Sequence, residues 1–116
     1  MSDKSDLARL EFILKLIDDI EFSINRHGGV SSALDDREGY HAIMMCCMQI
    51  GENLNKIENK LWADKLPVSM AYGMRNVIAH DYIGISLARV AVTIEKSIFE
   101  LKDIINALIK TEGPGS

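Results

Sequence analysis

The chain has 116 residues, of which 47% are hydrophobic and 26% are charged, and its formal net charge is −4. This balance predicts one globular domain, and it excludes nucleic-acid binding that depends on overall positive charge alone. The longest apolar run, residues 42–48, is shorter than the ~20 residues of a membrane span, and the N-terminus lacks a signal-peptide pattern, so we expect a cytoplasmic protein without a membrane partner.

The first predicted element is an amphipathic helix near the N-terminus. Its apolar residues recur at three- and four-residue steps, the pattern of a helix that buries one face. They are Leu7, Leu10, Ile13, Leu14, Ile17, Ile20 and Ile24. We expect the helix to end near His27, which reads as a C-terminal cap, because the pair Gly28-Gly29 interrupts the pattern.

A second amphipathic helix is predicted after the polar segment SSALDD, residues 31–36. Its apolar stripe comprises Tyr40, Ile43, Met44, Cys47, Ile50, Leu54, Ile57 and Leu61. Gly51 lies inside this helix at a cost of about 1 kcal/mol, so we expect the backbone of another helix to approach it closely. The adjacent Cys46 and Cys47 are interpreted as small buried hydrophobes, and the sequence lacks the ligand spacing of a metal site.

Two further helices complete the predicted fold. Pro67 marks a break, and a short helix is expected from about Val68 to Ala79. Ser86 is a suitable N-cap for a long last helix. Its apolar stripe comprises Val90, Ile94, Ile98, Leu101, Ile105 and Leu108. The fold class is therefore all-α, an antiparallel up-and-down bundle of four main helices over residues 1–112, with a disordered tail at 113–116.

Several large apolar residues flank these stripes. They are Phe12, Phe22, Met45, Met48 and Phe99. A bundle of this size either hides them in a wide core face or buries them in a self-complementary dimer, and the sequence leaves both alternatives open.

The stretch GMRNVIAHDYIG, residues 73–84, concentrates polar side chains. On an ideal helix the five-residue step from Arg75 to His80 turns about 140° further round the axis, so these two residues lie on different faces. Asn76 and His80 share a face. Arg75 and His80 can meet only if the helix ends at His80, which a tight turn at Gly84 would favour, or if two copies of the motif meet across a dimer axis.

These residue types suit RNA cleavage without a metal. The His80 imidazole can take a proton from a ribose 2′-hydroxyl or give one to the leaving 5′-oxygen, and the Arg75 guanidinium can hold phosphate oxygens. Asn76 can orient the phosphate, and Tyr82 can stack on a base. The residues by themselves equally allow a structural interpretation, a helix-terminal histidine beside an arginine that is paired with an acid.

This pattern resembles the HepT-like ribonucleases of the HEPN superfamily. The family spacing is met by Arg75, Asn76, His80 and Tyr82, and the upstream Ile-Gly-Glu at residues 50–52 also looks like that family. The likeness covers the chain up to about residue 110. It implies an all-helical, HEPN-like homodimer in which the two motifs line a cleft between protomers.

The resemblance also implies a function. Such dimers are RNA endonucleases and toxins of a toxin–antitoxin module, and their usual partner is an MntA-like nucleotidyltransferase antitoxin that transfers AMP from ATP to the motif tyrosine. By position, Arg75 and His80 would be catalytic and Asn76 supporting. Tyr82 would bind substrate and accept AMP, and neither metal nor cofactor is required. The alternative is a non-catalytic helical dimer that binds a nucleotidyltransferase partner or a nucleotide.

Three neighbouring residues complete these expectations. The family-like Ile-Gly-Glu makes Glu52 the expected structural partner of Arg75. Asp81 adds negative charge next to His80 unless it points away or steadies the histidine. His41 is interpreted as a surface residue at the start of the second helix, outside any site.

Overall fold

The computed structural model describes residues 2–112, with side chains over 5–111, and every regular element in this range is helical. The helices are α1 (Ser2–His27), α2 (Val30–Asp35), α3 (Arg37–Asn55), α4 (Lys60–Lys65), α5 (Val68–His80), α6 (Leu87–Thr93) and α7 (Phe99–Glu112). One turn of π-helix, Ile94–Ile98, joins α6 to α7 without interruption. The all-α prediction is confirmed, and within 2–112 no helix is long and apolar enough to cross a membrane.

Helix α3 is the centre of the bundle. It packs against α1 on one side and against α5 on the other, and α7 packs back onto α1. The side chains that are almost completely buried come from the predicted stripes: Leu10, Ile13, Ile17, Ile20, Ile43, Met44, Leu54, Ile94 and Ile105. Burial of each contributes roughly 1.5–3 kcal/mol, so the amphipathic pattern alone accounts for most of the core.

The end of α1 agrees with the sequence prediction. The helix stops at His27, and the next residues, Gly28 and Gly29, have φ angles of 81° and 154°. Residues other than glycine rarely adopt such φ angles, so the glycine pair fixes the position of this break.

The segment 31–36 was predicted as a polar connection, and this prediction is wrong in part. It forms most of α2, which buries Ala33 and Leu34. The carboxylate of Asp36 then accepts the backbone N–H of Gly39 at 2.9 Å and caps α3. A six-residue helix is too short to show a clear amphipathic period, and tertiary burial of two side chains stabilises it instead.

The second helix is also shorter than predicted. It ends at Asn55, and the buried carboxylate of Asp6 accepts the backbone N–H groups of Glu58 and Asn59 at 3.0 and 2.7 Å. Asn59 in turn caps α4. The inclusion of Leu61 in the stripe was therefore wrong, since this side chain is 74% exposed.

Gly51 has the role that its position predicted. A Cβ atom built on it would lie 2.6 Å from the Ala71 carbonyl oxygen and 2.8 Å from Arg75 Cβ. The backbones of α3 and α5 therefore meet at this glycine, which sets α5 and its polar residues directly against α3.

The last helix begins as expected, with the Ser86 hydroxyl accepting the Arg89 N–H at 3.4 Å. Most of the flanking apolar residues are on the surface: Phe12, Phe22, Met45 and Phe99 are exposed, and Met48 is half-buried. A wide core face therefore does not hide Phe22, which is 66% exposed. The dimer stays a prediction, and the tail predicted at 113–116 lies outside the described residues.

Candidate active site at the end of helix α5

Helix α5 ends within the polar stretch, at His80. The N–H of Asp81 makes the last helical bond, to the Val77 carbonyl at 3.0 Å. The Asp81 carboxylate turns forward and accepts the N–H of Gly84 at 3.1 Å, which closes a tight turn. A Cβ on Gly84 would lie 2.6 Å from Asp81 Oδ1, so a larger residue here would displace the Asp81 carboxylate from this turn. The predicted helix end and turn are both confirmed.

Arg75 is held by two side chains. Its Nε lies 2.5 Å from Glu52 Oε1, which confirms the expected partner, and its Nη1 donates to Asn76 Oδ1 at 2.9 Å. The buried Nε makes no well-aligned hydrogen bond, so the contact with Glu52 is a close ion pair. The Arg75 side chain is still 31% exposed. The ion pair therefore orients the guanidinium without shielding it from a ligand.

His80 has different surroundings. Its side chain is exposed, and among the side chains described, residues 5–111, none forms a hydrogen bond or ion pair with it. Asn76 lies one helical turn earlier on the same face. Because α5 stays helical through His80, the helix end does not bring this imidazole onto Arg75. Of the two ways in which the pair could meet, only the meeting of two copies is left as a prediction.

Tyr82 belongs to a small aromatic cluster at the start of α3. Its Oη lies 2.5 Å from His41 Nδ1, and the two rings are stacked with centroids 5.5 Å apart and planes 5° from parallel. Tyr40 packs edge-on against Tyr82 at 5.2 Å, and its hydroxyl donates to the Tyr82 carbonyl oxygen. These contacts fasten the segment after α5 to α3.

The family model described as Ribonuclease HepT-like matches residues 13–108, which contain the whole polar stretch and both helices that support it. The chain belongs to the HepT-like ribonuclease family. Neither the curated proteins nor the solved structures gave a significant match.

In this HepT-like chain His41 is a surface residue near the start of α3, as predicted, but its contact with Tyr82 was not predicted. The ring is exposed, but its Nδ1 is the polar partner of the Tyr82 phenol. No local signal in the sequence links the two positions, because they are 41 residues apart and become neighbours only when α3 packs beside the end of α5. The Tyr-His pair at residues 40–41 carried no motif of its own.

The aromatic contacts change the acidity of the cluster. Burial raises the pKa of Tyr82 above its ordinary value of 10.0, and the neighbouring Tyr40 raises it further. Burial and the negative charge of Asp81 likewise raise the pKa of Tyr40. Both phenols of the HepT-like chain are therefore protonated at neutral pH, so Tyr82 can donate its O–H to His41 in the tautomer whose Nδ1 carries no proton.

Two cavities of the HepT-like chain border α5 and the turn after it. A groove of about 450 Å³ between α5 and the last helix is lined mostly by apolar side chains, including Met70, Met74 and Val77. Arg75, Asn76, His80 and Tyr82 do not line it. A second cavity of about 280 Å³ is lined by Asp81 and Gly84 but by none of these four side chains. Across the described range no group of three potential ligands is arranged to hold a metal ion.

Proposed function

We propose that this HepT-like chain is a metal-independent RNA endonuclease. The observation that carries the proposal is the family match over residues 13–108, which includes Arg75, Asn76, His80 and Tyr82. The exposed His80 and the oriented, partly exposed guanidinium of Arg75 support it, since both groups are accessible to a polynucleotide.

The proposed reaction uses the ribose itself as the nucleophile. The His80 imidazole accepts the proton of the 2′-hydroxyl, and the 2′-oxygen attacks the adjacent phosphorus. The bond to the 5′-oxygen breaks, that oxygen takes up a proton, and a 2′,3′-cyclic phosphate remains. Arg75 stabilises the negative charge on the phosphate oxygens, and the hydrogen bond from its Nη1 to Asn76 holds the guanidinium plane in place.

We place this chemistry in a homodimer. Arg75 and His80 point to different sides of one α5, so a single copy presents an incomplete site. A second copy facing the first supplies the missing group, and a phosphate between them contacts both. Exposed apolar residues such as Phe22 and Met45 give the chain surface that a second copy can bury.

We also propose that the enzyme is a toxin controlled by a cognate MntA-like nucleotidyltransferase. The transferase delivers ATP to Tyr82, whose oxygen bonds to the α-phosphorus while pyrophosphate leaves. The product carries AMP two residues beyond His80, and its bulk and negative charge exclude the substrate phosphate from the site. Unmodified protein would cleave RNA, and modified protein would not.

The nuclease proposal is tested by incubating the purified, unmodified protein with RNA in excess EDTA. Cleavage with 2′,3′-cyclic phosphate ends is expected in the wild type and not in His80→Ala. Cleavage that requires a divalent cation, or that is equal in both proteins, would contradict it. If the wild type does not cleave RNA but still accepts AMP, the non-catalytic accessory dimer is the better description.

The control by AMP is tested by intact mass after incubation with the transferase and ATP. We expect added AMP on the wild type and on the matched control Tyr72→Phe, and none on Tyr82→Phe. AMP that persists on Tyr82→Phe would place the acceptor elsewhere.

A further inference from the structure

The contact between His41 and Tyr82 stands apart from the four-residue motif. The motif comes from α5 and the turn after it, whereas His41 lies on α3. Its Nδ1 is 2.5 Å from the phenol oxygen, the atom that receives AMP in the proposed function. The two rings are stacked nearly parallel, so the His41 ring has a defined orientation relative to the Tyr82 ring.

The direction of proton donation follows from the neighbouring groups. The Tyr40 hydroxyl donates to the Tyr82 carbonyl, so it is not directed at the Tyr82 phenol oxygen. The raised pKa of Tyr82 keeps its phenol protonated at neutral pH. The phenol O–H is thus a donor for Nδ1 in the tautomer of His41 that carries the ring proton on Nε2.

A protonated phenol is a weak nucleophile toward phosphorus. Its proton has to leave as the new O–P bond forms, and a base within hydrogen-bond distance can receive it. His41 Nδ1 meets this requirement, and the exposure of the ring allows the resulting imidazolium to return a proton to water. Asp81, the nearest acid in the sequence, instead accepts the N–H of Gly84.

We propose that His41 is the general base for the modification of Tyr82. Its Nδ1 accepts the phenol proton while the phenol oxygen bonds to the α-phosphorus of ATP and the bond to the pyrophosphate leaving group breaks. The assignment rests on the proposed role of Tyr82 as the AMP acceptor. Under this assignment the toxin activates its own Tyr82, and the transferase binds and orients ATP.

A purely structural role for His41 makes a different prediction. In that case the ring only holds Tyr82 in place, and any side chain that keeps the hydrogen bond would serve. His41→Asn separates the two roles, because its amide oxygen can occupy nearly the position of Nδ1 and accept the phenol O–H but cannot take up a proton.

The experiment compares the initial rate of AMP transfer from ATP by the cognate transferase at neutral pH. We expect His41→Asn to be slower than the wild type by about 10²-fold or more, the usual contribution of a positioned base. His27→Asn, the matched change at a histidine that does not contact Tyr82, is expected to stay within a few-fold of the wild type. A wild-type rate in His41→Asn would overturn the proposal.

A second measurement needs no transferase. N-acetylimidazole acetylates tyrosine phenols, and peptide masses report Tyr82 and Tyr72 separately in one sample. We expect Tyr82 to be acetylated faster in the wild type than in His41→Asn, because a base beside Tyr82 removes the phenol proton. Tyr72 should be acetylated at the same rate in both proteins, which shows that the fold is intact.

The two measurements separate the possible failures. If the wild type receives no AMP on Tyr82 but its acetylation depends on His41, the AMP proposal fails together with the role of His41 in AMP transfer, and only proton transfer from the Tyr82 phenol to His41 is kept. Equal acetylation of Tyr82 in both proteins would remove the base assignment whatever the transferase does.

Discussion

Two helices of this HepT-like chain end in a histidine, and the two histidines have opposite surroundings. At the end of α1, both ring nitrogens of His27 face acceptors: Nδ1 is 2.7 Å from the Ser23 carbonyl oxygen, and Nε2 is 3.1 Å from Asp36 Oδ2. At the end of α5, His80 is exposed and forms no such contact with the side chains that the structure describes, those of residues 5–111.

The difference shows that a helix-terminal histidine is not informative by itself. Such a position suits the helix dipole in both cases, which is why the sequence alone allowed a structural interpretation of either residue. What separates them is the use of the ring nitrogens. His27 uses both in the fold, and His80 keeps both available to a substrate.

The largest expected effect is on RNA cleavage by histidine variants. His80→Ala is expected to lower the cleavage rate by about 10²–10⁴-fold, because it removes the proposed acid–base group. His27→Ala should cleave RNA at nearly the wild-type rate, since its ring contacts only the Ser23 carbonyl and Asp36, which lie outside the polar stretch. Single-turnover cleavage of one labelled RNA measures both. Similar losses in the two variants would remove the distinction between the two helix ends.

The same comparison extends to the arginines near the two histidines. Arg75→Lys is expected to reduce cleavage by about 100-fold, because lysine cannot reproduce the planar guanidinium that contacts Glu52 and Asn76. Arg26→Lys, an exposed residue in the last turn of α1, should have little effect. The cleavage assay in EDTA checks both, and full activity in Arg75→Lys would leave Arg75 with a structural role only.

Two glycines beside and within α5, the helix that ends at His80, are expected to affect the free energy of unfolding in opposite directions. Gly51→Ala is expected to reduce the free energy of unfolding by about 1–3 kcal/mol, because its methyl group collides with the backbone of α5 at Ala71. Gly73→Ala is the matched control within α5. It has nothing within 4 Å of its Cβ position and should gain roughly 0.5–1 kcal/mol of helix stability.

Urea unfolding of the three proteins gives these differences. Because α5 carries the polar stretch, Gly51→Ala should also lower RNA cleavage, whereas Gly73→Ala tests stability alone. A Gly51→Ala protein as stable as the wild type would mean that α3 and α5 can separate without cost.

The long helices were predictable from the sequence, because their burial repeats every three to four residues. This signal located α1, most of α3 and the apolar stripe of the last helix, and it gave Gly51 its role. The starts of α5 and of the last helix were predicted from Pro67 and from the Ser86 N-cap. The same signal failed for α2 and α4, which are six residues each and depend on a few tertiary contacts such as the burial of Leu34 and Trp62. The π-helical turn at 94–98 does not break the spacing of the apolar residues in the last helix, so it could not be predicted from that spacing.

The candidate site was predictable only in part. Arg75, Asn76, His80 and Tyr82 lie close together in the chain, so their spacing could be compared with a family. Pairing of Arg75 with Glu52 followed from the neighbouring Ile-Gly-Glu. The contact between Tyr82 and His41 could not be found in this way, because it depends on how the end of α5 is placed against α3.

The smallest expected effect concerns the end of α1, where His27 contacts Asp36, and the pH dependence of the stability that Asp36 contributes. The N–H of Gly39 donates to the Asp36 carboxylate and lowers its pKa below the ordinary 3.8, against a weaker opposing effect of desolvation, and His27 lowers it further. A carboxyl group with a lower pKa in the folded state stabilises the fold above pH 3.8, and this stabilisation disappears as the pH falls through the folded-state pKa.

The variant Asp36→Asn isolates this charge, since its amide oxygen can still accept the Gly39 N–H. We expect the wild type to be slightly more stable than the variant at neutral pH, and the difference to vanish at a pH below the lowered pKa of Asp36. Urea unfolding at the two pH values measures it. A difference independent of pH would show that the cap acts through geometry alone, and the two helix ends would then differ in their hydrogen bonds but not in their charge.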